Sequence, residues 1–108
     1  MNEAKKIRII ADHYGYDAQS RQCIEEMAEL TQAINKFWRN QLDCGNIELP
    51  DDPEEIPVFT NEYDNLIEEM ADVQVMLLQM AYLLKTDIQY MVDIKLDRQL
   101  ERIKREHK

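Results

Sequence analysis

Residues 65–84, NLIEEMADVQVMLLQMAYLL, decide the fold of this chain more than any other stretch. They include no Pro or Gly and few β-branched residues, so their local preference is helical. Between residues 73 and 84 every residue is apolar except Gln74 and Gln79. A helix that is apolar on nearly all sides is buried among other helices. The stretch therefore predicts a central, buried helix that ends near Lys85.

Three carboxylates interrupt the first turns of this helix, at Glu68, Glu69 and Asp72. At about 100° per residue, Glu69 and Asp72 lie within about 60° of each other around the helix axis. Carboxylates are rarely buried unless they are paired with a cation or bind a metal. The pattern therefore predicts a cation between this end of the helix and its neighbours.

The remainder of the chain predicts three more helices and one long loop. A short helix over residues 2–13 stops at Gly15, because Gly commonly occupies the position just after a helix end. A second helix runs over residues 17–39, and a last one follows Thr86. Residues 40–60 contain all three prolines and many acids, which predicts an acidic loop. The predicted core-facing stripes of the second and last helices are Cys23, Met27, Leu30, Ile34 and Phe37, and Val92, Leu96, Leu100 and Ile103.

Length and composition limit the classes of protein to consider. With 108 residues, the chain predicts a single domain over residues 1–108. Its net charge of -9 argues against a nucleic-acid partner, although a bound divalent metal would still admit a small anionic substrate. The two cysteines form neither a disulfide framework nor a zinc pattern. With no signal segment and no apolar run long enough to span a bilayer, we expect a cytoplasmic protein without membrane contact.

An acidic hexapeptide occurs on both long helices. Residues 24–29 read IEEMAE, and residues 67–72 read IEEMAD. If the two helices pack antiparallel through their apolar faces, four or five carboxylates converge, and such a cluster repels itself unless a cation neutralises it. Carboxylate oxygens suit Mg²⁺ or Mn²⁺ rather than Zn²⁺. A single E-x-x-E motif usually lies on a solvated face, but the second copy at the same phase favours a metal cluster over that alternative.

These motifs resemble those of the MazG-type all-α nucleoside triphosphate pyrophosphohydrolases, a superfamily that includes the dimeric dUTPases and the phosphoribosyl-ATP pyrophosphohydrolases. The resemblance covers about residues 22–102. It consists of Glu26-x-x-Glu29, Glu69-x-x-Asp72, the glutamate that precedes each of them, and Lys95-x-x-Arg98. The chain between the two acidic motifs is longer than in compact members of the family, because the acidic loop lies there. This departure leaves the subfamily and the base specificity open.

The resemblance implies a four-helix MazG-like bundle that is completed by oligomerisation as a dimer or tetramer. It implies cleavage of a nucleoside triphosphate between its α and β phosphates, which yields a monophosphate and pyrophosphate and cleans the nucleotide pool. The implied cofactor is Mg²⁺, with Mn²⁺ as an alternative. The implied site residues are Glu26, Glu29, Glu69 and Asp72 for the metal, Glu25 and Glu26 for catalysis, Lys95 and Arg98 for the phosphates, from the same or another subunit, and Trp38 for the base.

Two other functions stay open. The carboxylates also suit a non-catalytic helical oligomer that binds a divalent metal or a nucleotide for regulation. Within the same superfamily, phosphoribosyl-ATP pyrophosphohydrolysis is a second enzymatic interpretation. Single residues have alternatives as well, since Trp38 also suits the core or an interface. The basic stripe of Lys95, Arg98 and Arg102 also suits a solvated helix face.

Overall fold

The computed structural model of the chain describes residues 1–44 and 60–107. These residues form three helices and no strand, namely α1 (Glu3–Cys44), α2 (Thr60–Leu83) and α3 (Gln89–Glu106). The predicted all-α class is confirmed, whereas a four-helix bundle stays a prediction. α1 continues past its predicted end at residue 39 and reaches Cys44. Residues 45–59 of the predicted loop lie outside the described part of the chain.

The first two predicted helices are joined end to end in α1, with a kink at Gly15. Gly15 has φ 82° and ψ 167°, a combination that essentially only glycine adopts. The predicted interruption is therefore at the right residue, but the helix resumes at once instead of turning back. A single glycine changes the direction of the chain, whereas a hairpin between two helices takes a loop of about two to five residues.

α1 and α2 pack as an antiparallel pair, so that later residues of α1 meet earlier residues of α2. Near one end of the pair, the ring centroids of Phe37 and Tyr63 are 6.2 Å apart. Towards the other end, Gln19 Nε2 donates a hydrogen bond of 2.7 Å to Gln79 Oε1. These two contacts fix both the direction and the register of the helices.

We refer to the contact line between α1 and α2 as the seam. Its buried residues are Ala11, Gln19, Cys23 and Ala33 from α1 and Val73, Met76 and Gln79 from α2. Most of its buried and half-buried residues follow one another at intervals of three or four residues along the chain, which is typical of helices that pack side by side. They include Glu26, Leu30 and Phe37 from α1 and Leu66, Glu69, Met80 and Leu83 from α2.

The predicted stripe of α1 is wrong at two positions. Met27 and Ile34 are exposed at 43% and 50%, although both were predicted to face the core. The residues that precede them, Glu26 and Ala33, lie at the seam instead. The rule that apolar residues point inward fails here because a glutamate and a small alanine hold the inward positions.

α2 is covered on one side only. Val73 and Met76 are buried, whereas Met70, Val75 and Leu77 are exposed at 52%, 45% and 42%. The predicted burial of this helix on all sides is therefore not met within one chain, because α1 is the described helix that packs on it. Within residues 1–44 and 60–107, none of the helices combines the length and the apolar content that a membrane crossing requires.

α3 stands away from the other two helices. None of its residues is buried, and none of its Cα atoms lies within 8 Å of a Cα atom of α1 or α2 in the described chain. Leu96, Leu100 and Ile103 of its apolar stripe are exposed at 52%, 58% and 49%. The radius of gyration is 17.5 Å, whereas a compact domain of this length has about 13 Å. Within residues 1–44 and 60–107, the stripe therefore faces no core.

A cleft of about 540 Å³ separates the start of α3 from the seam helices. Its lining is mostly apolar and includes Leu30 of α1, Met70 of α2 and Val92 of α3. Leu30 and Met70 directly follow Glu29 and Glu69 along the chain. The cleft therefore brings open apolar surface next to residues of both acidic motifs.

Gly15→Ala should destabilise the protein, because alanine adopts φ 82° and ψ 167° only with strain. The expected loss in the free energy of unfolding is about 1–3 kcal/mol, measured by urea denaturation. Lys85→Gly is the control, since Lys85 has φ 59°, where glycine is less strained than lysine. It should leave the stability unchanged or raise it. A Gly15→Ala variant as stable as the wild type would show that α1 does not need this kink.

Candidate metal centre

Three glutamates from the two acidic motifs meet across the seam. Glu26 and Glu29 lie one turn apart on α1, and Glu69 lies on α2. One carboxylate oxygen of each lies within 4.8 Å of one oxygen of the other two. Glu26 and Glu69 are half-buried, while Glu29 is exposed at the edge of the seam. The structure thus brings together three of the four predicted metal ligands, and we refer to these three residues as the glutamate cluster.

Two oxygen atoms of the glutamate cluster are buried without a partner. Glu26 Oε1 accepts a hydrogen bond of 2.9 Å from Gln22 Nε2. Glu26 Oε2 and Glu69 Oε2, however, are buried side-chain atoms with no hydrogen-bond donor. A buried acceptor without a donor loses its hydration and gains nothing in return, which costs about 1–3 kcal/mol and more when it is charged. A proton or a cation between the side chains would satisfy these oxygens.

A proton meets part of this requirement. The carboxylates of Glu26 and Glu69 raise the pKa of Glu29, first by charge repulsion and then through desolvation and hydrogen bonding. A protonated Glu29 carries one O–H group, so it donates to one oxygen at a time. One of the two buried oxygens, Glu26 Oε2 or Glu69 Oε2, then still lacks a donor. Protonation therefore relieves the repulsion only in part.

A divalent cation meets the requirement more completely. The cluster offers carboxylate oxygens and no sulfur or nitrogen, which is the donor set that Mg²⁺ and Mn²⁺ prefer. Opposite ligands of Mg²⁺ at about 2.1 Å from the ion are about 4.2 Å apart, and the three oxygens lie within 4.8 Å of one another. The chemistry of the residues therefore fits a hard divalent ion, and a small approach of the side chains would bring the oxygens to ligand spacing.

Other predicted site residues of the two motifs lie outside the cluster. Asp72 is exposed, and its carboxylate is not among the oxygens that meet at the seam. Glu25 and Glu68 are exposed as well, since each precedes a seam glutamate by one residue and so points about 100° away from it. Trp38 is exposed at 58%, which shows that it is not a core residue of the single chain.

The predicted phosphate-binding residues Lys95 and Arg98 are exposed on α3. Because α3 makes no close approach to α1 or α2, these two residues are not brought to the glutamate cluster of their own chain. Arg102, the third residue of the basic stripe, is exposed on the same helix. Their role depends on whether a second chain brings an α3 to the cluster.

Gln22 beside the cluster was missed by the sequence prediction, whereas Cys23 was predicted in the core-facing stripe and is confirmed there. Gln22 donates to Glu26 from four residues earlier on α1, a spacing at which polar side chains on a helix commonly interact. That spacing is visible in the sequence. Cys23 is buried at the seam, and its pKa is raised by burial and by the nearby Glu26 charge. It is therefore a packing residue and is kept as a neutral thiol.

The chain matches no protein-family model, no curated protein and no solved structure. The resemblance to the MazG-type enzymes therefore rests on the residues of the two acidic motifs and of the basic stripe. Its implications for activity, cofactor and assembly stay proposals. The geometry of Glu26, Glu29 and Glu69 across the seam stands independently of that resemblance.

Without metal, the protein should become more stable when the pH falls from neutral. The pKa of Glu29 is raised, so the folded state binds a proton more tightly than the unfolded chain does. This contribution to stability is complete below the unfolded pKa of about 4.3 and is lost as the pH rises through the raised folded pKa. Thermal unfolding in chelator, at a series of pH values from neutral to mildly acidic, measures the trend.

Glu29→Gln should weaken that pH dependence and raise the unfolding midpoint in chelator at neutral pH, because it removes one repelling charge. Asp97→Asn is the matched control, since Asp97 is an exposed acid on α3 and should change neither quantity. Added Mg²⁺ should raise the midpoint of the wild type at neutral pH by binding to the folded state. A Glu29→Gln variant with the wild-type pH profile would rule out coupling within the cluster.

Proposed function

We propose that the protein is a Mg²⁺-dependent nucleoside triphosphate pyrophosphohydrolase that converts a nucleoside or deoxynucleoside triphosphate to its monophosphate and pyrophosphate. The observation that carries the proposal is the pair of buried oxygens, Glu26 Oε2 and Glu69 Oε2, which face the seam without a donor. A pair of helices that placed both side chains in solvent would avoid this cost. Burial of both carboxylate oxygens at the seam is expected where a bound cation is part of the function.

Glu26, Glu29 and Glu69 would hold the ion, and Asp72, one turn after Glu69, would join them as a fourth ligand. Bound Mg²⁺, or Mn²⁺ as the alternative, would neutralise charge on the substrate phosphates. In the reaction, water attacks the α phosphorus, the bond from the α phosphorus to the bridging oxygen breaks, and pyrophosphate leaves with that oxygen. A carboxylate accepts the proton of the water, and Glu26 and Glu25 are the proposed catalytic residues.

The substrate phosphates would be bound by Lys95 and Arg98 of a second copy of the chain. Within one chain α3 stays away from the cluster, so these cations reach a cluster only through assembly. α2 carries five acids, no Lys and no Arg, which leaves its uncovered face attractive to a basic helix. α3 carries Lys95, Arg98 and Arg102 beside its apolar stripe and suits that face.

Self-association as a dimer or tetramer completes the proposal. The exposed stripe of α3 and the uncovered side of α2 are both apolar, and helices cover such faces by packing on another subunit. The cleft beside Leu30, Met70 and Val92 offers room for part of that contact. With a second copy in place, the four-helix bundle that the resemblance implies would be made by helices from more than one chain.

Base recognition would fall to Trp38. Trp38 is exposed on α1 and offers a flat apolar surface on which a base would stack. The role that fits this reaction is cleaning of the nucleotide pool in the cytoplasm. A panel of canonical and modified nucleoside triphosphates, together with phosphoribosyl-ATP, identifies the substrate when pyrophosphate release is measured with Mg²⁺.

Glu26→Gln and Glu69→Gln should each abolish Mg²⁺-dependent pyrophosphate release while the helical content is kept, because each removes a ligand charge and little volume. The matched control is Asp64→Asn, since Asp64 is an exposed acid on the same helix as Glu69 and should be dispensable. Circular dichroism confirms folding before each assay. Near-normal turnover in both glutamine variants would contradict the metal assignment.

The same assay separates the alternatives. Mn²⁺ binding without pyrophosphate release from any compound of the panel would favour a non-catalytic oligomer that binds a metal or nucleotide for regulation. Release from phosphoribosyl-ATP alone would assign that pyrophosphohydrolase activity instead. Release from one or several nucleoside triphosphates supports the proposed function.

Lys95→Ala and Arg98→Ala should each weaken catalysis by about 1.5–3 kcal/mol, the value of a hydrogen bond to a charged group. kcat/KM of the purified variants measures this loss. Lys104→Ala, also on α3 but about 180° from Lys95 around the helix axis, is the control and should be nearly silent. Equal and small effects at all three positions would favour the solvated-face interpretation of the stripe.

Mixing variants tests whether the cations act in a second chain. Glu69→Gln and the double variant Lys95→Ala plus Arg98→Ala should each be inactive or weak alone. In mixed assemblies, a site that takes its glutamates from the double variant and its cations from the Glu69→Gln chain is complete. Mixing should therefore restore activity, whereas sites built within one chain stay incomplete and gain none.

Leu96→Glu and Leu100→Glu should shift the protein from a dimer or tetramer towards the monomer, because each places a charge in the apolar stripe of α3. Light scattering at micromolar concentration measures the mass. Tyr90→Glu adds the same charge on the same helix at an exposed position about 125° from the middle of the stripe, and it should leave the assembly intact. A monomeric wild type would contradict the proposed assembly and the second-chain role of Lys95 and Arg98.

A further inference from the structure

Gln19 and Gln79 are the buried polar side chains of the described chain, with exposures of 7% and 3%. Gln19 Nε2 donates to Gln79 Oε1 at 2.7 Å across the seam, and Gln79 Nε2 lies 3.8 Å from Met76 Sδ. Neither residue belongs to the acidic motifs, and neither contacts the glutamate cluster. A buried amide pair in an otherwise apolar contact line needs a physical reason, because two apolar side chains of the same shape are about equally stable there.

The apolar part of the seam specifies its register weakly. Leu30 on α1 and Val73, Met76 and Met80 on α2 differ little in chemistry, and methionine fills gaps of many shapes. Helices with such seams slide by one repeat of about seven residues at modest cost, unless a polar pair selects one alignment. The hydrogen bond between Tyr82 and Asp12 also spans the helices, at 2.9 Å, but it is exposed, so water competes with it.

A slip by one repeat would take the glutamate cluster apart. Moving α2 by about seven residues places Glu26 opposite Met76 in one direction and opposite Glu62 in the other. Glu26 and Glu69 would then be about 10 Å apart along the helix axes, too far to share an ion. Without metal the two carboxylates repel each other, so electrostatics disfavour the native register relative to the slip that places Met76 opposite Glu26.

We infer that the hydrogen bond between Gln19 and Gln79 selects the register of α1 against α2 and thereby positions Glu26 opposite Glu69. Both glutamines are positioning residues for the glutamate cluster. The inference deepens the proposed function and rests on it for its metal readout. The alignment of the two helices is tested separately, without metal.

The test uses the double variant Gln19→Met plus Gln79→Met, because methionine keeps the length of glutamine and removes the hydrogen bond. Nitroxide labels are attached to cysteines that replace Gln32 of α1 and Asp64 of α2, both exposed in the described chain. The distance between the labels, measured by pulsed electron paramagnetic resonance, reports the register. Cys44→Ser removes one competing thiol, and Cys23 is kept because it is buried. Labelled chains are diluted with unlabelled protein so that distances between copies contribute little.

The wild type should show one distance in chelator, and the double variant should show additional distances, because slipped chains move the labels by about 10 Å along the axes. Mn²⁺ affinity, measured on unlabelled protein, should fall at least threefold. If three registers are equally populated, only one third of the chains have the glutamates aligned to bind the ion. Repulsion between the carboxylates lowers that fraction further. Saturating Mg²⁺, which is diamagnetic and leaves the nitroxide signal intact, should restore the single distance.

Met80→Leu is the matched control, since it changes a seam residue of α2 without touching the amide pair, and it should keep the single distance and the affinity. If the double variant does not fold, Gln19→Met alone also removes the hydrogen bond and is measured instead. A single native distance together with unchanged Mn²⁺ affinity in the variant overturns the inference. A wild type that binds no Mn²⁺ overturns the proposed function, and the distances in chelator then decide the register alone.

Discussion

The carboxylates of Glu26 and Glu69 face each other across a seam that is otherwise almost apolar. The rest of the structure depends on how their negative charge is neutralised. Each leaves one buried oxygen without a donor. The penalty for an unpaired buried charge is several kcal/mol, while a whole domain is stable by about 5–15 kcal/mol. The core of the described chain is small, since its buried apolar residues are Ala11, Cys23, Ala33, Val73 and Met76. A core of this size contributes little free energy with which to offset two uncompensated carboxylates.

The small core also connects the site with assembly. Two helices that touch along one line leave their outer faces uncovered, which explains why Met70, Val75 and Leu77 of α2 remain exposed. α3 adds a further apolar stripe without adding a core, because it packs on neither α1 nor α2 in the described part of the chain. Covering these faces with a second copy would lower the local dielectric around the cluster. That change strengthens the attraction between the carboxylates and a cation, and it raises the penalty when the cation is absent.

The sequence predicted the helical class, the interruption at Gly15 and the meeting of the two acidic motifs, because each depends on local preference or on helix periodicity. It placed Glu26 among the converging carboxylates, but it did not predict that Met27 faces solvent, since periodicity alone assigns the apolar residue to the core. The sequence also did not predict where α3 lies relative to the other two helices. An amphipathic helix indicates that a partner surface exists, but not whether the surface belongs to the same chain. Asp72 lies outside the cluster for a related reason, since spacing on one helix does not give the direction of its neighbour.

Register and metal binding are linked, because an ion that needs three converging glutamates binds only the alignment in which they converge. An ion at about 100 times its dissociation constant stabilises that alignment by about 2.7 kcal/mol, whereas a neutral hydrogen bond contributes about 0.5–1.5 kcal/mol. At saturating metal the ion therefore holds the register more strongly than the bond between Gln19 and Gln79. The amide pair matters most before the ion binds, when repulsion between Glu26 and Glu69 favours other alignments. It keeps the ligands close together before the ion binds, so the free-energy cost of aligning them does not reduce the affinity for the ion.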